Sequence, residues 1–148
     1  MKLVEKVTTY KTLELLKGMV DISADHFKDH MYEHVNSFEK ATIFSFGRQC
    51  GHTEAIKEYV RKSEDEILVV CHNQYTAKNM NNELGFGLSA AVSVSDVKRF
   101  EKLRGCKTKP VKIIFDSCTT DQIKLFISES LAYRIYNIKA ITIVQPVM

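Results

Sequence analysis

Phe44–Val60 reads FSFGRQCGHTEAIKEYV, and its division between strand, turn and helix decides the fold. The apolar run Ala41–Phe46 is short and rich in β-branched and aromatic residues, which predicts a strand. Gly47 and Gly51 follow within five residues and predict a turn. From Thr53 the apolar positions fall at helical spacing, which predicts a helix over Thr53–Lys62. Glycines let backbone N–H groups approach an anion, and the helix N-terminus behind them favours negative charge. The stretch is therefore suited to holding phosphate, although a strand-to-helix turn with two glycines accounts for the same residues.

The rest of the chain repeats the strand–helix alternation. Ile67–Cys71 predicts a second strand and Gln74–Leu84 a helix. Ala90–Val94 predicts a weaker third strand, and Asp96–Leu103 a helix capped by Ser95 or Asp96 and ended by Gly105. Val111–Phe115 and Ile138–Val144 are the fourth and fifth strands, with a long helix Thr120–Tyr136 between them. Continuous apolar strands separated by helices predict a mainly parallel sheet covered on both faces. The expected fold is an α/β three-layer sandwich with five strands. Ahead of it, Leu13, Leu16 and Val20, then Phe27, Met31, Val35 and Phe38, have helical spacing. Residues 1–40 thus form a helical preface to a core at 41–148, within a single domain.

Bulk properties narrow the classes. At 148 residues, 45% hydrophobic and 26% charged, the chain is long enough to bury a core without disulfides or metal. Its net charge of +3 neither requires nor excludes nucleic acid. Cys50, Cys71, Cys106 and Cys118 contain no CxxC pair and read as reduced thiols. The start MKLVEKVTTYK is too charged for a secretory signal, and no run approaches the ~18 apolar residues of a membrane span. A cytoplasmic protein with no membrane contact is expected.

The motifs resemble those of P-loop NTPases. Against G-x-x-x-x-G-K-[ST], the run Gly47-Arg48-Gln49-Cys50-Gly51-His52-Thr53 resembles the variant loop of helicase-like and viral large-terminase ATPases, with Phe46 for the first glycine and His52 for the lysine. VKIIFDSC resembles a Walker B strand ending in Asp116. ILVVCHNQYTAKNM and ITIVQP resemble the strands that follow the loop and the acidic motif. The resemblance covers residues 41–147 in order. It implies ATP or ADP with magnesium as cofactor, held by Gly47, Arg48, Gln49, Cys50, Gly51, His52, Thr53 and Asp116, with Thr53 and Asp116 as the magnesium ligands.

Three departures weigh against turnover. His52 is shorter than lysine and lacks its fixed charge near neutral pH. Ser117 stands where the family usually has the glutamate that orients water, and a hydroxyl without a partner base is a poor substitute. With Met148 just after the fifth strand, a second lobe bearing an arginine finger is not expected. These residues imply a pseudo-ATPase with no catalytic residue. The expected role is a protein-binding regulator or inhibitor, of viral origin by the terminase resemblance, with a nucleotide as a structural ligand. The alternatives are a slow NTPase completed by a partner or by self-association, and a nucleic-acid-binding accessory.

Other constellations carry less. Cys50, His52, Cys71, His72, Asp116 and Cys118 fall at strand ends on one expected rim, a set of soft ligands without the tight spacing of zinc elements. His26, His30 and His34 recur every fourth residue, yet Phe27 and Met31 beside them indicate a core face with the histidines on its flank. VKRFEKLRGCKTK (97–109) is a local basic patch diluted by Glu101 and Asp96, so any nucleic-acid contact is expected to be weak.

Overall fold

The computed structural model describes residues 3–30, 40–46, 52–64, 67–84, 90–94, 112–131 and 139–146. Its elements are α1 (Leu3–His30), β1 (Thr42–Phe46), α2 (His52–Lys62), β2 (Ile67–Cys71), α3 (Gln74–Leu84), β3 (Ala90–Ser93), β4 (Lys112–Asp116), α4 (Thr120–Leu131) and β5 (Ala140–Pro146). The five strands form one sheet in the order β1-β5-β4-β2-β3, and every pairing is parallel. The α/β class and the parallel sheet read from the sequence are therefore present.

Alternation along the strands divides the core. Ile67, Val69 and Cys71 of β2 pack with Leu13, Leu16 and Val20 of α1, Ala55, Ile56 and Val60 of α2, and Ala77 and Met80 of α3. Leu68 and Val70 join Ile113, Phe115, Ile141 and Ile143 with Ile123, Phe126 and Ile127 of α4. Successive strand side chains point to opposite faces, so these are two cores separated by the sheet. All five residues of β2 are buried, as a strand covered on both faces requires. Phe115 and Phe126 meet edge to face with centroids 5.4 Å apart.

Local chemistry fixes the helix ends. Glu54 lies in the first turn of α2 and Arg61 and Lys62 in its last, complementing the helix dipole. Asn73 Oδ1 accepts from the Thr76 amide at 2.8 Å and caps α3. Thr119 and Gln122 form a capping box at α4: the Gln122 amide donates to Thr119 Oγ1 at 3.2 Å, and the Thr119 amide to Gln122 Oε1 at 3.0 Å.

Several boundaries differ from the sequence reading. α1 is one continuous helix that includes Phe27, whereas the apolar spacing predicts two successive stretches. α2 begins at His52, one residue early, because this residue already has helical backbone. β4 includes Asp116, and β5 runs to Pro146, since pairing with β1 continues through Phe46↔Pro146. The expected helix Asp96–Leu103, the positions Met31, Val35 and Phe38, and the end of the long helix at Tyr136 lie outside the described residues. No helix among the described residues is long and apolar enough to cross a membrane.

Candidate functional site

β4 lies between β5 and β2, and its last residue, Asp116, pairs in register with Val144 and Cys71. The strand order inserts β5 between β1 and β4, so Asp116 meets the first turn of α2 rather than β1 itself. Thr53 Oγ1 donates to Asp116 Oδ2 at 3.1 Å. His52 Nε2 lies 3.2 Å from Asp116 Oδ1 and 3.1 Å from Ser117 Oγ. Ser117 Oγ donates to Asp116 Oδ1 at 3.1 Å. Residues more than sixty positions apart in sequence thus converge on one carboxylate.

The backbone at Ser117 sets this convergence. Ser117 has φ of 61°, the left-handed region that costs a side-chain-bearing residue roughly 1–2 kcal/mol. The Ser117 amide donates to Val144 O at 2.9 Å, holding the turn against β5. Gln145 Nε2 donates to Cys118 O at 3.0 Å and braces the next residue. The chain therefore bends at Ser117, leaving its hydroxyl beside the Asp116 carboxylate.

Hydrogen-bond roles in the cluster follow from the donors available. Asp116 accepts only, and the single Ser117 hydroxyl proton is directed at it. Ser117 therefore faces His52 as an acceptor, which assigns the hydrogen to His52 Nε2. In this arrangement His52 is a donor and not a base for Ser117. A serine nucleophile needs the opposite polarity, so the His–Ser contact is not an activated nucleophile.

Asp116 is 1% exposed. Among the described residues, no lysine or arginine pairs with it, and its one ionisable partner is His52. Burying a carboxylate is costly unless it is paired or hydrogen-bonded, and here three side-chain donors do this. The spacing of two oxygens in the cluster, Thr53 Oγ1 and Asp116 Oδ2, also fits a magnesium ion. Ligands about 2.1 Å from magnesium at right angles are about 3.0 Å apart, close to the 3.1 Å between Thr53 Oγ1 and Asp116 Oδ2. Such an ion would need phosphate oxygens and water for its other positions. Among the described residues no group of three His, Cys, Asp or Glu side chains is placed to hold a metal.

Of the cysteines expected on the rim, Cys50 lies outside the described residues, and the two described thiols are buried rather than presented at the strand ends. Cys71 belongs to the core on one face of the sheet and Cys118 to the core on the other. Burial, with the nearby Asp116 charge, pushes both thiols up to about 12, so neither is a thiolate at neutral pH. Cys118 Sγ instead donates to Val70 O at 3.4 Å. His72 is exposed.

Of the phosphate-loop residues, His52 and Thr53 are brought together with Asp116, while Gly47, Arg48, Gln49, Cys50 and Gly51 lie outside the described residues. His34 and the basic patch at 97–109 also lie outside them. Sequence reasoning treated Ser117 only as a missing glutamate and did not foresee its bond to both His52 and Asp116. The polar residue after a strand-terminal aspartate was the available signal. No family model, curated protein or solved structure matches this chain.

Proposed function

We propose that this chain is a non-hydrolysing relative of the ATPase lobes of helicases and terminases. It acts as a protein-binding regulator or inhibitor that holds a magnesium nucleotide as a structural ligand. The observation that carries the reading is the meeting of the Thr53 hydroxyl and the Asp116 carboxylate at 3.1 Å. These are the two side chains expected to face magnesium in a phosphate loop. Bound magnesium would supply charge neutralisation to the phosphates.

The arrangement of two further residues supports a site without turnover. Ser117, at the position of the water-orienting glutamate, has its proton committed to Asp116. His52, at the lysine position, is held by Asp116 and Ser117. Neither group is arranged to take a proton from an attacking water. A site that binds without reacting acts by occupancy, which fits regulation of another protein.

Titration of the purified chain with labelled ATP and ADP, with and without magnesium, tests the reading alongside a phosphate-release assay. Magnesium-dependent binding that Asp116→Asn removes, with no release from ATP or GTP above background, is the expected result. Phosphate release abolished by Asp116→Ala would make the protein an enzyme. No binding at millimolar nucleotide would remove the nucleotide from the proposal.

A further inference from the structure

We infer that the triangle formed by His52 Nε2, Asp116 Oδ1 and Ser117 Oγ is a seat for a first-row divalent transition-metal ion that binds without nucleotide. This occupies the same rim as the proposed nucleotide site but does not rest on nucleotide binding. The three donor atoms are separated by 3.1, 3.1 and 3.2 Å. Three mutually adjacent ligands of an octahedral ion define such a triangle, and dividing its edge by √2 puts the ion about 2.2 Å from each donor. The face is close to equilateral, as three equal bonds at right angles to one another require.

Chemistry selects the class of ion. Magnesium prefers an all-oxygen set at about 2.0–2.1 Å, whereas imidazole suits first-row transition metals. The nitrogen contributed by His52 therefore turns an oxygen-only site into a mixed nitrogen–oxygen site. Charge points the same way. Asp116 is buried, and a divalent ion bound to it adds direct charge compensation to its hydrogen bonds.

Binding requires two adjustments. A neutral imidazole carries its hydrogen on either ring nitrogen, so placing it on Nδ1 frees the Nε2 lone pair. The Ser117 hydroxyl rotates its proton away from Asp116 and presents a lone pair. Thr53 keeps its bond to Oδ2, the oxygen outside the triangle, and holds the carboxylate in place. Water fills the remaining positions.

Cobalt(II) is the probe, titrated into the full-length chain without nucleotide and followed by visible absorption, with manganese(II) spin resonance as a second readout. A saturable signal at one ion per chain is expected. His52→Lys should abolish it while preserving a donor toward Asp116, and circular dichroism should show that this variant remains folded. Ser117→Ala should weaken binding several-fold, and Asp116→Asn should remove it. An unchanged signal in folded His52→Lys overturns the inference, as does no cobalt or manganese binding at millimolar metal. Metal uptake only in the presence of ATP would also overturn it, while supporting the nucleotide site.

Discussion

Replacing His52 with lysine tests whether the rim is a phosphate site lacking one charge. His52 is the first residue of α2, and its Nε2 already lies 3.2 Å from Asp116 Oδ1. A lysine there keeps a donor for the carboxylate, so the free protein exchanges one contact for another. With nucleotide present, the longer side chain reaches phosphate and adds a charge-assisted hydrogen bond worth roughly 1.5–3 kcal/mol. The ammonium must share itself with Asp116, so the lower end applies. About 1.5 kcal/mol corresponds to a gain in nucleotide affinity of roughly tenfold. Calorimetric titration of both proteins with ATP and magnesium measures it, and phosphate release should stay at background because Ser117 is unchanged. A folded His52→Lys protein with the affinity of the parent would falsify the assignment of His52 to the lysine position.

The opposite edge of the sheet supports a prediction about stability. The Asn81 side chain donates to Ala91 O and accepts from the Ala91 amide, both at 2.8 Å, so it satisfies edge strand β3 as a neighbouring strand would. Asn81→Ala should cost about 2 kcal/mol in urea unfolding and promote self-association by sedimentation, since an unpaired buried polar group costs roughly 1–3 kcal/mol. A loss below about 0.5 kcal/mol would contradict this bracing role. Between α2 and α3, Lys57 bonds Glu83 at 2.8 Å and, by that bond and its charge, holds the Glu83 carboxyl below its ordinary value. A lowered carboxyl stabilises the fold above the unfolded value of about 4.3 and loses that contribution as pH falls through the folded one. The stability difference between the parent and Glu83→Gln should therefore be present at pH 7 and shrink steadily below about pH 4. Glu83 is half exposed, so salt should also reduce the difference; one that grows in acid would reverse the assigned sign.

Much of the fold was legible because the relevant forces are local. The all-apolar run Ile67–Cys71 belongs inside a parallel sheet with neighbours on both sides, and it is the fully buried β2. The helix predicted over Gln74–Leu84 has those bounds in the structure, because its helical pattern is bounded by Asn73 and by the end of the apolar periodicity. The capping box at Thr119 and Gln122 is equally local, a Thr-x-x-Gln spacing visible in the letters. The boundary at Pro146 was not legible, because pairing with β1 extends β5 to that point.

For the candidate site, the sequence by itself determined which side chains stand at strand and helix ends: His52 and Thr53 after one strand, Asp116 and Ser117 at the end of another. Their chemistry followed, including the lysine and glutamate that are not there. Only the tertiary structure decided that these four meet, and that Asp116 is buried among three donors. It also sent Cys71 and Cys118 into cores on opposite faces. Propensity and hydrophobic period act over a few residues and survive in the linear pattern. The meeting of residues over sixty positions apart depends on strand order, and on a left-handed turn at Ser117 that no composition of neighbours specifies. The convergence is therefore a property of the packed sheet.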